Sequence, residues 1–150
     1  MKALIVYDSV YGNTEKIARA IAGAIAPSAE VKVLRAGEVS ASELASLDLL
    51  IVGSPTQGGK PTRAIQDFLN KLLESAIKGI NVAAFDTRFS TKLVAIFGYG
   101  AGKIADSLKK KGGNLILPPE PFFVKSREGP LKEGELERAA VWAKRILESN

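Results

Sequence analysis

Two loops carry most of the groups able to do chemistry. The first, Asp8-Ser9-Val10-Tyr11-Gly12-Asn13-Thr14-Glu15, is crowded with hydroxyls and runs straight into an amphipathic segment. A helix starting there presents unpaired N–H groups and the positive end of its dipole, which together favour an anion. Ser9, Tyr11, Asn13 and Thr14 add side-chain donors, and Gly12 lets the backbone come close. The dipole alone contributes only about 0.3–1 kcal/mol, or about 2 where partly buried, so the donors must carry the rest. No lysine stands in the loop. That argues against a Walker-type nucleotide site, which needs Gly-Lys-Ser/Thr and a metal ligand. The pattern suits a phosphate monoester held without a metal, with plain capping by Ser9 or Asn13 as the simpler alternative.

The second loop is Gly53-Ser54-Pro55-Thr56-Gln57-Gly58-Gly59-Lys60-Pro61. Its adjacent glycines permit unusual backbone angles and the close approach of a flat ligand. A turn that merely needs positive φ accounts for them as well.

Composition narrows the chemistry further. The chain has no cysteine and no histidine, which removes disulfides, thiolate nucleophiles and the commonest general base and metal ligand. A bound cofactor is then the natural carrier of any hard chemistry. At 150 residues the length suits one domain, 1–150, able to bury roughly two-thirds of its unfolded surface. The net charge of +5 serves solubility first and suits anionic partners. Ala3–Tyr7 is too short for a signal-peptide core and no run approaches a membrane span, so a cytoplasmic protein is expected, with no membrane partner.

The elements that must hold the two loops alternate between strand and helix. Lys2–Tyr7 reads as a strand covered on both faces, and Asn13–Ile25 as a helix with Ile17, Ile21 and Ile25 on one side. A second strand begins near Glu30, a short helix covers Ala41–Ala45, and Leu49–Val52 is a third buried strand ending at Gly53. Ile65, Phe68, Leu69, Leu72 and Leu73 form an apolar stripe that predicts one helix over Thr62–Ser75, opened by Pro61. The fourth strand is either Val82–Phe85 or Leu93–Phe97. Ala101–Lys111 reads as a helix whose last turn, Lys109–Lys111, opposes the negative dipole end. No aromatics interleave with those lysines, so they make no nucleic-acid platform. Leu115–Leu117 and Phe122–Val124 look extended around Pro118, Pro119 and Pro121, which fits an irregular or edge strand. Glu135–Leu147 is a final helix, with Trp142 read as core.

Such alternation gives a parallel sheet with helices on both faces. In open sheets of this kind a ligand sits beyond the carboxyl ends of the strands, where the strand order reverses. Both loops fall there.

Taken together, Ser-x-x-Gly-Asn-Thr after the first strand and Gly-Ser-Pro-Thr-x-Gly-Gly-Lys-Pro after the third resemble the flavodoxin family, especially the flavodoxin-like domains of multidomain flavoproteins. The resemblance implies a doubly wound, five-stranded parallel sheet of order 2-1-3-4-5, and FMN as cofactor. It implies that Ser9, Val10, Tyr11, Gly12, Asn13 and Thr14 bind the FMN phosphate and that Ser54, Pro55, Thr56, Gln57, Gly58 and Gly59 line the flavin ring. Gly58 is the candidate for a peptide that turns its carbonyl toward flavin N5 on reduction. A third flavin loop is implied at Asp86-Thr87-Arg88-Phe89-Ser90, with Phe89 either stacking on the ring or buried as a core residue. If Leu93–Phe97 is the fourth strand, Gly98-Tyr99-Gly100 takes that slot. The chain departs from the family in being basic and in carrying Gln57 where an aromatic often shields the flavin. Lys60, Arg63 and Arg88 would place positive charge near the ring.

Electron transfer to or from a partner protein is therefore the first functional expectation. An FMN-dependent oxidoreductase acting on a quinone or similar small acceptor is the second. A flavin-free signalling or interaction domain is the third, although a phosphoacceptor version needs an aspartate where Gly53-Ser54 stand.

Overall fold

The structure, a computed structural model, describes residues 1–89 and 99–150. Strand β1 (Lys2–Tyr7) lies between β2 (Glu30–Arg35) and β3 (Leu49–Pro55), and β3 pairs in turn with β4 (Asn81–Arg88), all in parallel. The helices are α1 (Asn13–Ile25), α2 (Ala41–Leu44), α3 (Arg63–Lys71), α4 (Glu74–Ile77), α5 (Gly100–Lys110) and α6 (Glu135–Ser149). The sheet order β2-β1-β3-β4-β5 is the expected one.

The outer strand differs from expectation in being broken. β5 (Asn114–Leu115) pairs with the start of β4, and β6 (Glu120–Phe123) pairs with its end. Val82 stands opposite Leu115 and Phe85 opposite Glu120. Three steps along β4 are thus matched by five along the edge. Pro118 and Pro119 fall in the excess, where ladder bonds are not required of them.

Because side chains alternate along a strand, the continuous apolar runs divide between two cores. Ala3, Ile5, Tyr7, Leu49, Ile51, Ala83 and Phe85 pack against α1 and α6. Leu4, Val6, Leu50, Val52, Val82 and Ala84 pack against α3 and α5. Trp142 is core as expected. It meets Phe85 and Phe122 edge-on at 6.1 and 6.0 Å, a favoured aromatic geometry.

The predicted helix over Thr62–Ser75 is two helices. Leu72 turns to extended backbone (ψ 123°), so α3 ends at Lys71 and Leu73 is left exposed. The physical reason is remote in sequence: the Lys111 ammonium donates to the carbonyls of Leu69 (2.5 Å), Asn70 (3.3 Å) and Leu72. These carbonyls are the unpaired acceptors of a helix C-terminus. Lys111 therefore caps α3, while Lys109 and Lys110 sit in the last turn of α5 as expected.

Candidate functional site

The loops after β1, β3 and β6 and the end of β4 meet beyond the carboxyl ends of the strands and enclose a cleft of about 550 Å³. Small-molecule sites usually measure about 300–1,000 Å³.

At one end lies the first loop. Gly12 takes the left-handed conformation (φ 91°) as N-cap of α1, a position that disfavours a side chain. Ser9 Oγ accepts from the amides of Gly12 (3.1 Å) and Glu15 (3.3 Å). Among the described residues the amides of Asn13 and Thr14 have no partner. The simpler capping alternative is therefore half right: Ser9 caps α1, yet two donors remain. The Thr14 hydroxyl is buried and hydrogen-bonded to that of Thr87 at 2.7 Å, which ties this loop to β4. The carboxylates flanking the loop are held away from any anion. Arg35 reaches Asp8 and Glu15, each at 3.5 Å, and Arg19 reaches Glu15 at 3.0 Å. The bond from Arg19 pulls the Glu15 carboxyl below its ordinary range, so it stays ionised and paired.

At the other end the second loop makes a closed two-residue turn. Gln57 and Lys60 exchange backbone bonds at 2.8 and 3.0 Å, and Gly58 and Gly59 both have positive φ (56° and 77°). Such a turn demands φ > 0 at both central positions. Its base is fixed: the Thr56 amide donates to Thr87 O (2.9 Å), and Thr56 Oγ1 accepts from the Gly100 amide at the start of α5 (2.9 Å). The Gln57 carbonyl is spent inside the turn, whereas the Gly58 and Gly59 carbonyls accept no bond among the described residues, and a Cβ on Gly58 would meet nothing within 4 Å.

Among the described residues the third wall is the end of β4. Asp86 is fully buried. Its carboxylate accepts two bonds from Arg88 (2.8 and 2.7 Å) and one from the Ala101 amide at the start of α5 (2.9 Å). The Arg88 guanidinium stacks on Tyr99 at 3.2 Å. Thr87, Arg88 and Phe89 face the cleft. Phe89 is 43% exposed, which sets aside a buried core role. The alternative fourth strand, Leu93–Phe97, lies outside the described residues, as do Ser90 and Gly98; Tyr99 holds Arg88 and Gly100 opens α5.

Of the sequence-derived residues, Ser9, Val10, Tyr11, Asn13 and Thr14 line the cleft, as do Pro55, Thr56, Gln57, Gly58, Thr87, Arg88 and, just past β4, Phe89. Gly12, Ser54, Gly59 and Asp86 do not line it and serve as its frame. Ser54 is buried with its hydroxyl accepting from the Thr62 amide at 2.9 Å. Of the expected cations, Arg63 pairs with Asp67 on α3 (3.1 Å), and only Arg88 lines the cleft. Two lining residues had not been expected, Val124 and Arg127, both in or near the β6–α6 loop. The available signal was positional, since that loop also leaves the carboxyl end of a strand.

A phosphorylated, flat, amphipathic ligand fits this arrangement. Partnerless amides and hydroxyls occupy one end, and the exposed apolar side chains of Val10, Tyr11 and Phe89 rim the cleft. The flavodoxin family model matches residues 5–142. The chain belongs to the flavodoxin family. FMN is the cofactor, and electron transfer the chemistry, that this membership carries. A flavodoxin of Clostridium beijerinckii is 35% identical over 128 residues, covering 81% of this chain and 85% of its own. A diflavin flavoprotein of Synechocystis sp. is 34% identical over 118 residues, covering 74% of this chain; the match spans only 18% of that protein. Among solved structures, a flavodoxin from the domain Archaea superposes with a TM-score of 0.84 at 25% identity, over 99% of this chain and 97% of its own. No helix among the described residues is long and apolar enough to cross a membrane.

Proposed function

We propose that residues 1–150 form one flavodoxin-like domain that works as a cytoplasmic electron carrier, with FMN phosphate on the N-terminus of α1 and the flavin ring between the Gln57–Lys60 turn and Phe89. One observation carries the reading. The free amides of Asn13 and Thr14 sit in the same cleft as the apolar rim of Val10, Tyr11 and Phe89. When bound, FMN supplies the electron-accepting ring. The protein binds the phosphate, offers the Gly58 carbonyl to the ring and sets the local charge. The paired Arg88 and the exposed Lys60 leave the ring end without net negative charge. That favours the reduced, more negatively charged cofactor and, together with the charge of +5, an anionic redox partner.

The visible spectrum of the purified protein and quenching of FMN fluorescence test this reading. A colourless protein that leaves FMN fluorescence unquenched overturns it.

A second reading, an FMN-dependent oxidoreductase, is favoured by the exposed Gln57, which leaves the ring side unshielded by an aromatic. Rapid turnover of a nicotinamide donor with a quinone selects it over the carrier. The flavin-free receiver reading loses ground at Gly53, where a Cβ would land 2.0 Å from the Phe85 ring. The aspartate that such a site requires cannot stand there.

A further inference from the structure

The first loop contributes no cation of its own, and the two arginines that reach its flanking carboxylates are already committed. Arg35 and Arg19 are paired with Asp8 and Glu15. Of the two cations that line the cleft among the described residues, Arg88 is held by the buried carboxylate of Asp86. Arg127 is the other, and no carboxylate among the described residues pairs with it.

Arg127 rides on a loop that is pinned at the phosphate end. Val124 and Leu131 bridge its base, Lys125 donates to Pro130 O at 2.8 Å, and Ser126 closes the tip through Gly129. The tip is docked on the first loop itself. Asn13 Nδ2 donates to Glu128 O at 3.1 Å, and a Cβ on Gly129 would fall 2.7 Å from the Asn13 carboxamide. Asn13 is also the first residue of α1. The two chain neighbours that follow Arg127 therefore rest on the residue that opens the anion-binding helix.

We propose that Arg127 is a phosphate-binding residue of this flavin site, a guanidinium delivered from the β6–α6 loop to an anion otherwise held by amides and hydroxyls. This rests on the FMN reading above. A guanidinium presents paired N–H donors suited to phosphate oxygens.

The test measures FMN and riboflavin dissociation constants by fluorescence quenching, at low and high salt, for the wild type, Arg127→Gln and Arg127→Lys. Riboflavin has the same ring and no phosphate, so it separates the two ends of the cleft. Arg127→Gln is expected to weaken FMN about tenfold, equivalent to about 1.4 kcal/mol, and to leave riboflavin unchanged. The salt dependence of FMN binding flattens in the same variant, and Arg127→Lys recovers part of the loss. Gly129→Ala, which forces the tip off Asn13, gives the same selective loss. Equal weakening of both flavins, or an unchanged FMN constant in Arg127→Gln, overturns the proposal and leaves the flavin reading intact. A wild type that binds neither flavin overturns both.

Discussion

The two ends of the cleft are built on different principles. The end proposed to hold phosphate is assembled from backbone amides and small polar side chains whose own bonds are few: Ser9 caps, Thr14 ties to Thr87, and the Asn13 and Thr14 amides have no partner among the described residues. The ring end is assembled from groups already saturated with one another. Asp86, Arg88, Tyr99, Thr56 and the start of α5 form a closed set of bonds, and among the described residues the glycine turn and Phe89 project from it. One end is left ready for a ligand to complete. The other is a bracket of mutually bonded groups that carries the glycine turn. The difference teaches that residues named together as binding residues divide into those that line the cleft and those that keep the others in place.

The strongest way to break this comparison is to cut the bracket. Asp86→Ala leaves the nearly buried Arg88 without its carboxylate, and removing one partner of a buried pair costs about 3–5 kcal/mol. Urea denaturation of the apoprotein checks this loss, and Asp86→Ala with Arg88→Leu should recover much of it. A loss under 1 kcal/mol would show that Asp86 frames nothing. Next in size, Gly58→Ala places a side chain at positive φ and should cost about 1–2 kcal/mol. It should shift the flavin reduction potentials while leaving the FMN-to-riboflavin affinity ratio as in the wild type. A changed ratio would erase the distinction between the ends.

Ser9→Ala removes the α1 cap and should cost about 1 kcal/mol, read as a lower thermal midpoint, with FMN weakened more than riboflavin. The smallest effect is in acid. Burial pushes the Glu135 carboxyl up, but bonds from Arg138 and the Phe123 amide outweigh it, and its pKa lies below the ordinary value. A depressed carboxyl stabilises the fold above its unfolded pKa, and that contribution fades as pH falls through the folded one. Glu135 anchors β6, which carries the Arg127 loop, so Glu135→Gln should flatten stability between neutral pH and the acid limb below about pH 4.5. An unchanged pH profile would detach Glu135 from that role.

Much of the fold was legible because each strand and helix announces itself locally. Ile17, Ile21 and Ile25 mark one helix face, and the run Leu49–Val52 marks a buried strand. The switch-point rule then put the two loops together without any contact being known. What escaped depends on distant partners. Nothing between Leu69 and Leu73 reveals that Lys111, some forty residues on, will stop α3 at Lys71. The stripe itself predicts a longer helix. Asp86 reads as a loop residue by position and proves to be strand and frame, because its partners Arg88 and the Ala101 amide converge only in the fold. Arg127 was missed because it lies in an irregular segment far from either motif, and one arginine in a basic chain carries no signal until Asn13 and Glu128 are seen to meet.

The broken outer strand bears on how the domain meets other molecules. An intact terminal strand offers a row of unsatisfied backbone groups to any passing extended chain, and sheets exposing such rows are prone to add strands and associate edge to edge. Here the row is interrupted between Leu115 and Glu120, and prolines at 118, 119 and 121 withhold N–H groups that an incoming strand would need. This flank of the sheet is thereby closed to recruitment, and among the described residues the one intact row left at an edge is that of β2, on the far side of the sheet.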